Sequence, residues 1–359
     1  MTLTSEDSMG PRTRAEEVSG GADSRPGRPR LRAKWVVNVA LVAIGFLVPL
    51  VVTGPYQRHL LVNAAILGVF GLGVAFLIRR LGMVSLGHAL YFGGAAYAFG
   101  ALSTHGGLEI VPALMLALGV VVAVALAVGS LLVRSRGIAF TMLTLAFGQF
   151  VFTLAGLTQT RSVTGGDDGL PVRMNGTLLG LTARDFSDPV TMWIICWAVV
   201  ALALIALGLI GRSRFGKLLE AIRENEERVR FNGSNTYLPV LAAYLVSALV
   251  AGIAGLLFAL YNSFLSLDVL AWTTSGNALI VSFIGGCWVA SGPLWGALIY
   301  TLGNAMLVSG GRNEWQLYVG IAVILVMVFG KAGVVGSLQE QWTRHRERRL
   351  PPVDLARTN

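Results

Sequence analysis

The sequence predicts an all-α, polytopic membrane protein of about ten transmembrane helices with both termini cytoplasmic. Three observations predict it. Hydrophobic residues make up 54% of the 359 residues and charged residues only 13%, against about a quarter charged in a soluble domain. Apolar runs near the spanning length of about 20 residues recur along the whole chain. Lys and Arg gather between alternate runs, as the positive-inside rule requires.

Residues 1–33 mix Ser, Gly, Pro, Arg and acidic residues without apolar periodicity, so a disordered basic tail is expected. The first run, 35–53, is long for a signal peptide and is followed by no small-x-small cleavage site, so it reads as a retained helix. The further spans are expected at 60–78, 83–102, 110–133, 138–158, 190–210, 238–261, 276–290, 294–309 and 315–330. Together they form a permease-sized membrane domain, 34–336, followed by a cytoplasmic tail, 337–359. The third, eighth and ninth runs are short or glycine-rich, which leaves open a re-entrant segment buried in protein. The abundant glycines have two readings, close helix packing and kinks beside a pathway.

Charge fixes the orientation. Seven basic residues from Arg12 to Lys34 precede the first span, Arg79 and Arg80 follow the second, and Arg134 and Arg136 follow the fourth. Lys331 and four arginines between Arg344 and Arg349 follow the last. Loops 103–109 and 262–275, on the opposite side, carry no Lys or Arg. The exception is 159–189, with Arg161, Arg173 and Arg184. The net charge of +9 is therefore topological and indicates no nucleic acid. Cys196 and Cys287 lie inside apolar runs, with neither a disulfide framework nor metal spacing.

Segment 211–236 is dense in charge between two apolar spans. Each charge at a bilayer centre costs roughly 2.5–3.5 kcal/mol on insertion scales, so this segment belongs in water. Phe215, Leu218, Ile222 and Val229 form an apolar stripe at helical spacing, with Glu220, Ala221, Arg223, Glu224 and Glu226 around it. Glu224 with Arg228, and Glu226 with Arg230, have the favourable i,i+4 orientation. Asn232-Gly233 supplies a stop. One short amphipathic helix at the cytoplasmic face is expected. It is a solvated connector, a membrane-surface helix, or a coupling helix whose stripe enters a groove on a motor subunit. Residues 211–218 nearly match a phosphate-binding loop, but Leu218 stands where Ser or Thr must follow Lys217, and a membrane helix precedes. ATP hydrolysis by this chain is not expected.

No Asp, Glu, Lys or Arg lies clearly inside a span, unlike ion-coupled carriers. Polar residues within spans include Asn63, Ser85, His88, Thr141, Thr144, Gln149, Ser247, Asn277, Ser282 and Asn304. Two roles are open for them: hydrogen bonds between helices, or the lining of a neutral or zwitterionic pathway. Ser85, His88, Thr141, Thr144, Gln149 and Asn277 are the pathway candidates. There is no catalytic constellation. In the loop after the fifth span, Thr164, Gly165, Gly166, Asp167, Asp168 and Gly169 form a polar turn, a contact for an extracytoplasmic protein, or a gate to entry.

Five stretches carry a family resemblance: Ser85-Leu-Gly-His-Ala89 running on to Tyr97; Phe140 to Gln149; Thr164-Gly-Gly-Asp-Asp-Gly-Leu170; Ala221-Ile-Arg-Glu-Asn-Glu226; and Leu270 to Gly276 with Gly285-Gly286. In this order, over roughly 60–336, the chain resembles the LivM-type permeases of branched-chain amino-acid ABC importers. It departs from that pattern at Phe329-Gly-Lys-Ala-Gly333, at Asn232-Gly-Ser-Asn-Thr236 and at Trp288-Val-Ala-Ser-Gly292. The resemblance implies a multi-pass subunit of the bacterial cytoplasmic (inner) membrane that forms a translocation pathway for an amino-acid substrate. Its implied partners, besides membrane lipid, are a second related permease, two ABC ATPase subunits and an extracytoplasmic substrate-binding protein. No cofactor is implied in this chain, since the partner subunits would hydrolyse ATP. It also assigns 211–236 to ATPase coupling and 164–169 to the binding-protein side. A urea or short-chain amide permease is the alternative within the class, and an ion-coupled secondary transporter or channel the alternative outside it.

Overall fold

Pro55 opens the first long helix, α1 (Pro55–Leu81), at the position where its missing N–H does no harm. Gly82, at φ 68°, closes it by bonding to the Ile78 carbonyl. The computed structural model describes residues 45–47, 52–178, 180–309, 317, 318, 320, 321 and 324, all within one compact unit, 41–359. The tails at 1–33 and 337–359, and most of the spans expected at 35–53 and 315–330, lie outside the described residues.

After α1 come α2 (Ala89–Thr104), α3 (Ile110–Leu132) and α4 (Gly137–Gly156). A folded loop follows, with α5 (Arg161–Thr164), a 3₁₀ turn (Gly166–Asp168), strand β1 (Leu170–Pro171) and α6 (Ala183–Ser187). Then come α7 (Pro189–Arg212), α8 (Arg214–Glu224), α9 (Glu226–Phe231) and α10 (Tyr237–Asn262). Strand β2 (Phe264–Leu265), a 3₁₀ turn (Leu267–Leu270), α11 (Trp272–Gly285) and α12 (Gly292–Ser309) complete the described chain. Among the described residues, five helices are long and apolar enough to cross a membrane: α1, α3, α4, α7 and α10. The protein is a helical, multi-pass membrane protein.

The core forms around α1, which packs against α7, α10, α11 and α12. Its residues from Gly68 to Ile78 are buried without interruption. An amphipathic surface helix would bury only a stripe, so α1 is an interior helix. The second hub is α10, against α1, α2 and α3. A Cβ on Gly255 of α10 would overlap the Phe92 carbonyl of α2, so only glycine allows this backbone approach. Helix α4 is placed differently. It buries Phe140, Thr144, Gly148 and Ala155 and leaves Met142, Ala146, Gln149, Phe150 and Thr153 exposed.

Two expected spans need correction. A helix is expected from 83, but 83–88 is irregular and α2 begins at Ala89. Tertiary contacts hold this break: Leu86 N–H donates to Thr144 Oγ1 (3.2 Å), and Thr141 Oγ1 donates to the Val84 carbonyl (2.8 Å). Such bonds let non-helical backbone exist inside a membrane protein. The span expected at 276–290 is α11, shifted to 272–285 and stopped by Gly286 at φ 97°. At 16 and 14 residues, α2 and α11 rise about 24 and 21 Å, less than a hydrocarbon core of about 30 Å.

Candidate functional site

The break at 83–88 lies between α4 and α11. Ala89 N–H, at the start of α2, donates to Ser275 Oγ in the first turn of α11 (2.7 Å). The amino-terminal ends of the two short helices therefore meet inside the bundle. A Cβ on Gly87 would overlap the Thr144 carbonyl of α4, so the segment lies directly on that helix.

Of the six pathway candidates, three are sealed in the protein. His88 is fully buried, with Nδ1 2.7 Å from Ser85 Oγ and Nε2 2.7 Å from Ser247 Oγ. Ser247 Oγ donates to the Gly73 carbonyl (2.7 Å), which can only accept. Nε2–H of His88 therefore donates to Ser247, and Ser85 O–H donates to Nδ1. The imidazole is neutral and fully satisfied. Ser85 and Thr144 are each 1% exposed. Asn277 is half-buried and accepts from Tyr300 O–H (3.0 Å). Thr141 is half-buried at the irregular segment. Gln149 alone of the six is exposed, on the outer face of α4 with Thr153 one turn further on.

The arginine-rich end of the bundle carries 211–236, and here the expected single helix is corrected. Asn225 (φ −159°, ψ 99°) breaks it into α8 and α9. Its Oδ1 accepts Arg228 N–H at 2.9 Å, an N-cap that begins a new helix rather than continuing the old one. The expected Glu224–Arg228 pair therefore straddles the break, whereas Glu226 and Arg230 both lie in α9. The stripe is corrected too. Leu219, Ile222 and Val229 are buried against the chain's own core, while Phe215 and Leu218 are half-buried on it. The outward face of α8 is instead Arg214, Lys217, Ala221 and Glu224. Phe231, at the end of α9, is 88% exposed. Residues 211–218 form a helix–turn–helix corner capped by Ser213, without the strand and loop of a phosphate cradle.

Ionic contacts tie this end together. Arg80 pairs with Glu220, and Arg223 Nη1 donates to the Arg79 carbonyl (2.7 Å) while its guanidinium stacks 4.4 Å from the Trp288 ring centroid. Glu226 receives Arg136 bidentately, Nε at 2.7 Å and Nη2 at 3.0 Å, and accepts Thr236 O–H at 2.8 Å. The Arg136 hydrogen bond holds the Glu226 carboxyl below the usual carboxylate range. Sequence reading gave Arg136 only a topological role and Ser247 an interhelical or pathway role without a partner, and it did not single out Thr236 or Ser275. The partners of Glu226 and His88 lie 90 and 159 residues away along the chain.

At the opposite end, 164–169 is more ordered than a plain flexible loop. Gly165, Gly166 and Gly169 all take positive φ, and Asp168 pairs with Arg161. Asp167 and Asp168 are exposed. Strand β1 pairs with β2 antiparallel, Leu170 opposite Leu265, and Val172 N–H donates to the Ser263 carbonyl (2.9 Å). The loop is thus fastened to the end of α10. Nearby, Thr182 N–H and O–H donate to Asp185 and hold its carboxyl below the ordinary range.

Residues 58–328 match the family described as branched-chain amino acid transport system permease components. The chain is 27% identical over 294 residues to the high-affinity branched-chain amino acid transport system permease protein LivM of Escherichia coli, covering 76% of this chain and 68% of that one. It is 26% identical over 173 residues to LivH of Salmonella typhimurium, covering 47% and 56%. A shorter stretch, 38% of this chain and 42% of the relative, is 30% identical to the galactose/methyl galactoside import permease protein MglC of Escherichia coli. No solved structure matches the chain. The match to residues 58–328 takes in α3, α4, α7, α10 and all of α1 but its first three residues, with the break before α2 and the Arg136–Glu226 pair, and by it the chain belongs to the family of branched-chain amino acid transport system permease components.

Proposed function

We propose that this chain is one of two permease subunits of an ATP-driven importer for branched-chain or related hydrophobic amino acids, in the bacterial cytoplasmic membrane. About ten spans would place both termini and the arginine-rich end in the cytoplasm, with 160–189 outside. The second permease would be a related chain, two ATPase subunits would hydrolyse the ATP, and an extracytoplasmic protein would deliver the substrate. This chain would bear no cofactor and catalyse no reaction itself.

Beside the family match, the observation that carries this reading is Gln149. Moving an unpaired amide from water into hydrocarbon costs about 4–8 kcal/mol. Gln149 lies inside α4 on its exposed face, so a lipid neighbour would be expensive. A water-filled path completed by a second subunit satisfies it. Gln149, Thr141 and Asn277 are the proposed contacts for a zwitterionic substrate. Ser85, His88 and Thr144 would hold the irregular segment behind them. Neutral hydrogen-bonding groups suit an amino acid whose charges cancel.

The proposed ATPase surface is the outward face of α8 and α9: Arg214, Lys217, Ala221, Glu224 and Phe231. The proposed site for the delivering protein is 164–169, with Asp167 and Asp168 outermost. Uptake of radiolabelled leucine, isoleucine, valine, other amino acids and urea in a deletion strain tests the function. Restoration of leucine, isoleucine and valine uptake by the gene, dependent on ATP and insensitive to the proton gradient, is expected. Uptake of urea alone, or uptake collapsed by an uncoupler at constant ATP, overturns the reading.

A further inference from the structure

Glu226 occupies an unusual electrostatic position. It is the first residue of α9, and its carboxylate also reaches Arg136, the N-cap of α4. A helix N-terminus carries about half a positive charge, so Arg136 by itself is unfavourable there. The carboxylate offsets both the guanidinium and the two helix ends. Arg136 is further fixed by donating from Nη1 to the Val133 carbonyl at the end of α3 (2.9 Å). Bidentate Arg–carboxylate pairs carry directional as well as ionic specificity, so the joint resists shear as well as separation.

Beyond the joint, α4 is fastened to the irregular segment by Thr141, Thr144 and the close approach of Gly148 to Gly87. That segment ends at His88, which is bonded to Ser247 of α10. The fork, the backbone of α4 and the bonds of Thr141, Thr144 and His88 thus lead in sequence from the α9 start to the middle of the bundle. Arg80–Glu220 and Arg223 to the Arg79 carbonyl end on α1, Arg223 also stacks on Trp288 after α11, and Glu226 also takes Thr236 O–H before α10. Helix α1 is enclosed by four neighbouring helices, whereas α4 has one free face.

We propose that the Arg136–Glu226 fork is the joint through which the α8–α9 unit moves α4. This rests on the importer reading above. Arg136 and Glu226 are positioning residues and touch neither substrate nor nucleotide. The fork also gives the closing Glu of the Ala221–Glu226 motif a role that its own helix does not explain.

The test uses the whole complex, with both permeases and the ATPases in lipid nanodiscs or proteoliposomes and the binding protein added. Two readouts are compared in wild type, Arg136→Glu, Glu226→Arg, the swapped double variant and the milder Arg136→Lys. One is ATP hydrolysed per radiolabelled leucine imported. The other is the nucleotide-dependent change in distance between spin labels at Phe150→Cys on α4 and Leu116→Cys on α3, which needs no substrate. Each single charge reversal is expected to raise the ATP-to-leucine ratio by about tenfold, as for an equilibrium shifted by one charged hydrogen-bonded pair. It should also abolish the distance change, and the swap should restore both. Arg136→Lys keeps the charge, loses the fork and falls between; it serves where a reversal fails to assemble. An unchanged ratio and distance change in the assembled variants overturns the joint, as does a swap that assembles without restoring either. Absence of leucine uptake in wild type with an intact, Glu226-dependent distance change overturns the substrate assignment and leaves the joint standing.

Discussion

Ser247→Ala removes one hydroxyl that serves two helices. It ends the bond from His88 Nε2–H and the bond to the Gly73 carbonyl. Gly73 lies inside α1, so its carbonyl keeps a helical partner and loses little. His88 is at 0% exposure, so its N–H is left without an acceptor or water. An unsatisfied buried donor costs about 1–3 kcal/mol. Interhelical bonds in membranes average nearer 0.6 kcal/mol and reach about 1.7. The other tautomer offers partial relief, because Nδ1–H could then donate to Ser85 Oγ. The expected loss is therefore about 1–2 kcal/mol, from these two ranges together. Equilibrium unfolding in mixed micelles measures it, with His88→Ala and the double variant completing a cycle. The effects should be non-additive by at least about 0.5 kcal/mol, as for residues sharing one bond. Nitrogen-15 shifts of the ring should report Nε2–H in wild type and Nδ1–H in Ser247→Ala. Strict additivity with an unchanged tautomer would refute the assigned network.

Gly255→Val should prevent stable folding, since the added carbon meets the Phe92 backbone, whereas Gly208→Ala, with open space around it, should leave the amount of folded protein unchanged by fluorescence-detected size exclusion. Glu226 has a depressed folded pKa, so its contribution is present above the unfolded value and lost as pH falls through the folded one. The stability difference between wild type and Glu226→Gln should thus hold at neutral pH and vanish only below the usual carboxylate range; a difference that grows on acidification would contradict it. Phe231→Ser and Ala221→Glu should weaken ATPase co-purification while leaving the permease folded, because both side chains are exposed; retention at wild-type level argues against that docking face. Replacing Asp167 and Asp168 by Asn should lower uptake most at limiting binding protein, since rim charges act mainly on association rate; equal loss at saturation points to a gate. An impermeant thiol reagent on intact cells should label Asp168→Cys and spare Glu226→Cys, and the reverse pattern overturns the orientation.

The long helices were legible because sustained apolar composition meets clear terminators. The expected runs 110–133, 138–158, 190–210 and 238–261 fall within two residues of the observed ends at both termini. The break before α2 was not legible from hydropathy, because Met83, Val84 and Leu86 continue the apolar run. Its bonds come from Thr141, Thr144 and Ser275, far away along the chain. The cluster of Gly82, Ser85, Gly87 and His88 was the available signal. The split at Asn225 was also readable: Asn followed by two acidic residues is an N-cap pattern. The apolar stripe of α8 was seen, but periodicity alone does not say whether the chain or a partner covers it. Arg136 could not be paired with Glu226 until the helices were in place.

The enclosure of α1 separates two demands that usually coincide. Lipid touches little of this helix in the finished protein, yet every residue from Gly71 to Ile78 is apolar or glycine. Its hydrophobicity is a requirement of biogenesis: spans enter the bilayer before they find one another, and each must be apolar enough to remain there alone. A polar side chain at a well-partnered interior position of α1 would then be tolerated by the mature subunit and rejected during insertion. Variants of that kind would be missing from cells because they are never made correctly, even where the assembled transporter could have used them.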